Sequence, residues 1–95
     1  MQCQTLIFTE HAVTRMFERA ITSDQVRSVI EAGAIIAAYP NDIPYPSYLI
    51  LGFIGSTPLH VVIAVDANSQ RCYLITVYVP DPARWSEDFK RRRPR

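Results

Sequence analysis

The strongest constraint on this chain's fold is a pair of apolar runs hinged on a short polar break. Leu59 to Val65 reads L-H-V-V-I-A-V, Asp66-Ala67-Asn68-Ser69-Gln70 follows, and Arg71 to Val79 reads R-C-Y-L-I-T-V-Y-V. Both runs have strand length and are rich in β-branched and aromatic residues, and the break between them is made of turn formers. They predict two neighbouring antiparallel strands. A third run, Ser47 to Ile54, precedes them across Gly55-Ser56-Thr57-Pro58, and a fourth, Ala34 to Tyr39, comes before Pro40-Asn41-Asp42-Ile43-Pro44. Pro80 and Pro82 end the sheet because they carry no ladder donor.

Upstream the period changes from two to about 3.6. Ala12, Val13, Met16, Phe17 and Ala20 make one apolar stripe behind Thr9, a residue suited to cap a helix. A second helix begins at the capping box formed by Thr22 and Gln25, buries Val26, Val29 and Ile30, and ends at Gly33 in a left-handed cap. The expected fold is α+β: two N-terminal helices on one face of a four-stranded antiparallel sheet, with a fifth strand available from Gln4 to Phe8. Ala83 to Lys90 suggests a short C-terminal helix docking Trp85 and Phe89.

At 95 residues the chain has the size of one domain, read as residues 1–83 followed by a basic tail at 84–95. The net charge of +1 conceals that division. Residues 1–83 set four arginines against seven carboxylates, a net of −3, whereas 84–95 set six cations against two carboxylates, a net of +4. Such a run can contact phosphate, but short terminal charge runs are more often solvated, and that is the expectation here. No apolar run is long enough to span a bilayer and no signal peptide is evident, so a cytoplasmic protein with no membrane partner is expected. Cys3 and Cys72 belong to no C-x-x-C pair and read as core thiols; neither they nor the histidines show metal-ligand spacing, so no metal and no cofactor is expected.

Strand parity then sorts the polar side chains. Leu59, Val61, Ile63 and Val65 share one face, as do Tyr73, Ile75, Val77 and Val79, and these more aliphatic sides belong under the helices. That sends His60, Thr76 and Tyr78 to the face the helices leave bare: one group titrating near neutrality beside two hydroxyls. Val62, Ala64, Leu74, Tyr48, Ile50 and Ile54 would make the same face too apolar for water. Its own Trp85 and Phe89 segment, a second copy, or a partner protein would cover it. On the first helix His11, Arg15 and Glu18 lie opposite the apolar stripe, as a solvated Arg15–Glu18 pair or as a phosphate or partner contact.

T-E-H-A-V-T-R-M-F-E-R-A-I (Thr9 to Ile21), P-L-H-V-V-I-A-V (Pro58 to Val65) and I-T-V-Y-V-P-D-P-A-R-W (Ile75 to Trp85) together resemble the bacterial domain-of-unknown-function family 4258 over nearly the whole chain. His11, Ala12, Arg15, Met16, Arg19 and Ile21 occur with the H-V-V and I-T-V-Y strands in the expected order. The chain departs at Val79, where the family pattern has Glu. The resemblance implies a remote likeness to ribosome-dependent and free RNase toxins, which pack helices behind an antiparallel sheet. Under it, His60 is the candidate base or acid in metal-independent RNA cleavage. Tyr78 is then the second proton carrier or phosphate donor, and Thr76 orients either ring.

His11, Arg15, Arg19, Arg71 and Arg84 are the candidate nucleic-acid or partner contacts. Cations near His60 are scarce on this reading, since Arg15 and Arg19 lie on the helix side. The expected partners are RNA and an antitoxin or homodimer mate on the apolar sheet face. The alternative is a noncatalytic domain of the same fold that binds a partner through that face.

Overall fold

A computed structural model, describing residues 1–94, contains two helices and a five-stranded mixed sheet. In chain order these are β1 (Thr5–Phe8), α1 (Glu10–Arg19), α2 (Ser23–Ala32), β2 (Ala34–Tyr39), β3 (Ser47–Ile54), β4 (Thr57–Asp66) and β5 (Arg71–Tyr78). The α+β class stands, but the sheet is not four antiparallel strands. β2 to β5 form an antiparallel meander, and β1 joins it beside β5 in parallel, giving the order β1-β5-β4-β3-β2. Its register runs from Thr5 opposite Arg71 to Phe8 opposite Leu74. A disulfide between Cys3 and Cys72, with Cα atoms 5.7 Å apart, ties the start of β1 to the start of β5. The two cysteines are therefore not the core thiols expected; sixty-nine residues of sequence separation carry no motif that would announce the pairing.

Both helices start as their caps require. Thr9 Oγ1 accepts from the Ala12 amide at 3.3 Å, and Thr22 and Gln25 exchange side-chain and backbone bonds at 3.1 and 3.0 Å. Their ends differ from expectation. The left-handed cap falls on Ala20 (φ 54°) at the end of α1, whereas Gly33 is extended (φ −74°, ψ 169°). Gly33 is needed for room: a Cβ there would run into the Val29 carbonyl oxygen and stand 2.7 Å from Ile50 Cγ2.

The core lies between α2 and the sheet, where Val26, Val29 and Ile30 meet Ile50, Leu59, Val61 and Ile63. α1 rides on β5, alongside the stretch that β1 leaves unpaired beyond Leu74. Only its inner edge is buried, at Ala12; Val13 is 50% exposed and Phe17 89%. The predicted apolar stripe of α1 therefore overhangs the sheet instead of sinking into it.

Two irregularities re-sort the faces. Val62 pairs with Thr76 but Ile63 pairs with Leu74, so Ile75 is an extra residue in β5 and the alternation reverses there. Val77, Leu74 and Cys72 consequently all join the core, and Tyr73 turns to the open face, opposite to the expected assignment of residues 72–75. In β3, Tyr48 and Ile50 pair with the helix-facing Ile63 and Val61, and Ile54 has the same parity, so these three also leave the open face. Gly52 marks that parity, because Val29 packs where its side chain would be, 2.7 Å from an added Cβ. β4 begins at Thr57, two residues early, since Gly55 (φ 62°) and Ser56 suffice for the turn. Pro58 is tolerated because β5 ends opposite His60 and no strand pairs with β4 on that side at Pro58.

The expected helix at 83–90 is absent. Ser86 donates to the Asp88 carboxylate at 2.6 Å, and the same carboxylate accepts from the Lys90 amide, a local turn that competes with helix formation. The segment folds back as a narrow loop instead. Trp85 bridges Arg92, the Arg93 amide donates to the Arg84 carbonyl at 2.8 Å, and the Ser86 amide to the Arg91 carbonyl at 2.8 Å.

Candidate functional site

The site rests on the register of β4 and β5. His60 lies directly opposite Tyr78, on the face away from the helices, and the phenol is 3.2 Å from His60 Nδ1. Thr76 is on the same face two residues away, opposite Val62, but bonds to neither ring. It holds the parity without orienting His60 or Tyr78.

Residues after Pro82 close the site. Trp85, itself 7% exposed, meets the imidazole edge to face with centroids 4.4 Å apart. On the remaining side the Phe89 carbonyl oxygen lies 2.8 Å from His60 Nε2. A carbonyl can only accept, so Nε2 carries the hydrogen and Nδ1 accepts from the Tyr78 hydroxyl. Both ring nitrogens are engaged, and the residue has no exposed surface. Phe89 reaches this geometry in the left-handed region (φ 61°), which is costly for a residue with a Cβ. The chain holds a strained turn to aim one carbonyl at one imidazole.

Burial sets the protonation state. Desolvation lowers the His60 pKa from its ordinary value, partly offset by the bond to Phe89, so the imidazole is neutral near pH 7. Burial raises the Tyr78 pKa; the Arg92 charge acts the other way, and the nearby Tyr39 phenol adds to the rise. As it stands the imidazole has no face open to a ligand, while the Tyr78 ring is half-buried.

The remaining predicted contacts do not converge on it. His11, Arg15 and Arg19 are exposed along α1, where Arg15 pairs with Glu18 at 3.3 Å as the solvated reading supposed. Arg71 opens β5 opposite Asp66, at the far end of that strand from Tyr78. Arg84 precedes Trp85 in the basic segment, which is folded over the sheet rather than trailing away. The segment brings Arg92, whose guanidinium sits 5.4 Å from the Trp85 ring centroid, to the side of the dyad where cations were lacking. Arg92 and Arg93 carried no signal beyond membership of a charge run. Trp85 was the residue that marked the segment as docked.

The opposite end of the open face is less covered. Tyr45 stacks on Tyr73 with centroids 5.5 Å apart, and a hollow of about 350 Å³ lies between this pair, Ala64, Ile75, Thr9 and Pro44. Among the described residues, no three His, Cys, Asp or Glu side chains converge as a metal site would require, and no helix is long and apolar enough to cross a membrane.

These features define a small α+β domain with a buried histidine, bonded to a half-buried tyrosine, beneath its own basic C-terminal segment. Residues 8–79 match the family described as Domain of unknown function (DUF4258), and the chain belongs to that family. The match ends just after Tyr78, so it takes in the dyad but not the segment that covers it. No curated protein and no solved structure matches the chain.

Proposed function

We propose that the protein acts on RNA in the manner of a small RNase toxin, with His60 and Tyr78 as a metal-independent proton-transfer pair. The observation that supports this reading is the placement of an imidazole directly across from a phenol on the face away from the helices. In such a reaction the ribose 2′-oxygen attacks phosphorus as a base takes its proton. The 5′-oxygen departs with a proton from an acid, leaving a cyclic phosphate and a free 5′-hydroxyl. Neutral His60 suits the base through Nδ1, and Tyr78 suits the acid. Neither can act while Phe89 and Trp85 enclose the ring, so the active form has that segment displaced, as by RNA or the ribosome.

A second reading has its own support. With both nitrogens of His60 engaged and the ring wholly buried, the dyad serves as a latch for the C-terminal segment in a noncatalytic domain. A partner, an antitoxin or a second copy, then takes the apolar hollow beside Tyr45 and Tyr73. Expression in a bacterium separates the two. The protein slows growth and fragments RNA, Tyr78→Phe and His60→Ala abolish both effects, and equal behaviour of all three would end the catalytic reading.

A further inference from the structure

The basic segment folds back on itself with its cationic side chains exposed. Arg84, Arg92 and Arg93, with Ala83 and Pro94, surround a hollow of about 340 Å³. Backbone bonds from Arg93 to Arg84 and from Ser86 to Arg91 fix its walls. Arg93 Nε donates to the Pro82 carbonyl at 3.0 Å, and Arg92 lies over Trp85. Among the described residues the one salt bridge is Arg15–Glu18, so none of these three guanidinium groups has a carboxylate within 4.0 Å. Three cations thus line one hollow with no ion pair to any described carboxylate, next to a body whose residues 1–83 carry a net charge of −3.

We infer that this hollow is a phosphate-binding site for the backbone of single-stranded RNA. Planar guanidinium forks match phosphate oxygens in pairs, and prior ordering of the walls reduces the entropy lost when the ligand arrives. No large apolar side chain lines the hollow, so it offers no anchor of the kind a peptide needs. An elongated polyanion is also the ligand that can keep clear of the acidic body. The inference goes beyond the proposed cleavage and does not require it.

The test is binding of the full-length protein to a fluorescent 2′-O-methyl oligouridine. This probe has no free 2′-hydroxyl and cannot be cleaved, so its result is separate from the fate of the catalytic reading. Three phosphate contacts on a single strand give a log–log salt slope near −2, which is about twenty-fold weaker binding at 200 mM than at 50 mM salt. Replacing all three arginines by Gln removes most of that slope, while replacement by Lys retains it. Arg84→Gln alone, at an exposed side chain with no hydrogen bond among the described residues, lowers the slope by about 0.7 and leaves the thermal midpoint unchanged. The inference is overturned if the probe does not bind, if the triple Gln variant binds with the original slope, or if anionic phospholipid vesicles bind and the oligonucleotide does not.

Discussion

Replacing Trp85 by Ala tests whether the C-terminal segment is what seals His60. The indole is 7% exposed and supplies one wall of the imidazole's enclosure at 4.4 Å, while its ring also underlies Arg92. Truncating a buried Trp costs about 3–5 kcal/mol; because the segment after Pro82 can settle partly into the gap, about 3 kcal/mol is expected. In a domain of this size that lowers the thermal midpoint by roughly 12–15 °C, readable by far-ultraviolet circular dichroism. A stability loss alone would not identify the seal, so the second readout is the titration of His60 followed by NMR. Removing the indole admits water, relieves the desolvation that lowers the His60 pKa, and moves its midpoint up toward about 6.5. Trp85→Phe, which keeps an aromatic edge against the imidazole, loses less on both measures. A Trp85→Ala protein within about 0.5 kcal/mol of the parent, with His60 titrating as before, would refute this account of the site.

Three further outcomes follow from the same coordinates. His60 has a folded pKa below its unfolded value, so the unfolded chain takes up the proton first; its stabilisation is complete above about pH 6.5 and is lost as pH falls toward the folded pKa. Urea midpoints measured from pH 8 to 5 should therefore fall more steeply for the parent than for His60→Gln, and equal slopes would contradict the burial. Reducing Cys3–Cys72, which closes a loop of about 70 residues, should cost about 4 kcal/mol on the chain-entropy account, measured as the shift in unfolding midpoint with and without reductant. Gly52→Ala drives a methyl group into Val29 at 2.7 Å and should cost about 1–3 kcal/mol in the same assay, with no change in RNA binding.

The meander, both helix starts and the shared face of His60 and Tyr78 were legible because each rests on local pattern: alternation, capping residues and parity over a few positions. What escaped was set by distant contacts. Nothing in R-C-Y-L-I-T-V-Y says that Ile75 will be skipped in the ladder, and that single skip exchanges the faces of residues 72–74 while leaving 76–78 as read. β3 is apolar on both sides, so alternation gave it no direction; Gly52 was the informative residue, through the helix it admits. The stripe on α1 was real, but its burial depended on how much sheet lay beneath, and beyond Leu74 β5 has no β1 partner. The cover over His60 was one of three candidates in the sequence, and which of them held, and in what conformation, was again set by distant contacts. Trp85 and Phe89 marked the segment as docked, but its fold as a loop rather than a helix follows from the Ser86–Asp88–Lys90 turn.

The bond between Cys3 and Cys72 also decides how the domain would bear load. Tension entering the chain before the first sulfur and leaving beyond the second passes across the bridge, so both helices and the four strands β1 to β4 are bypassed. Residues 73–94 alone would pay out, to a contour length of about 75 Å. Stretching this molecule in an oxidising medium would peel off the His60 cover and then β5 beyond Cys72, while the bridged stretch from Cys3 to Cys72 carries no load.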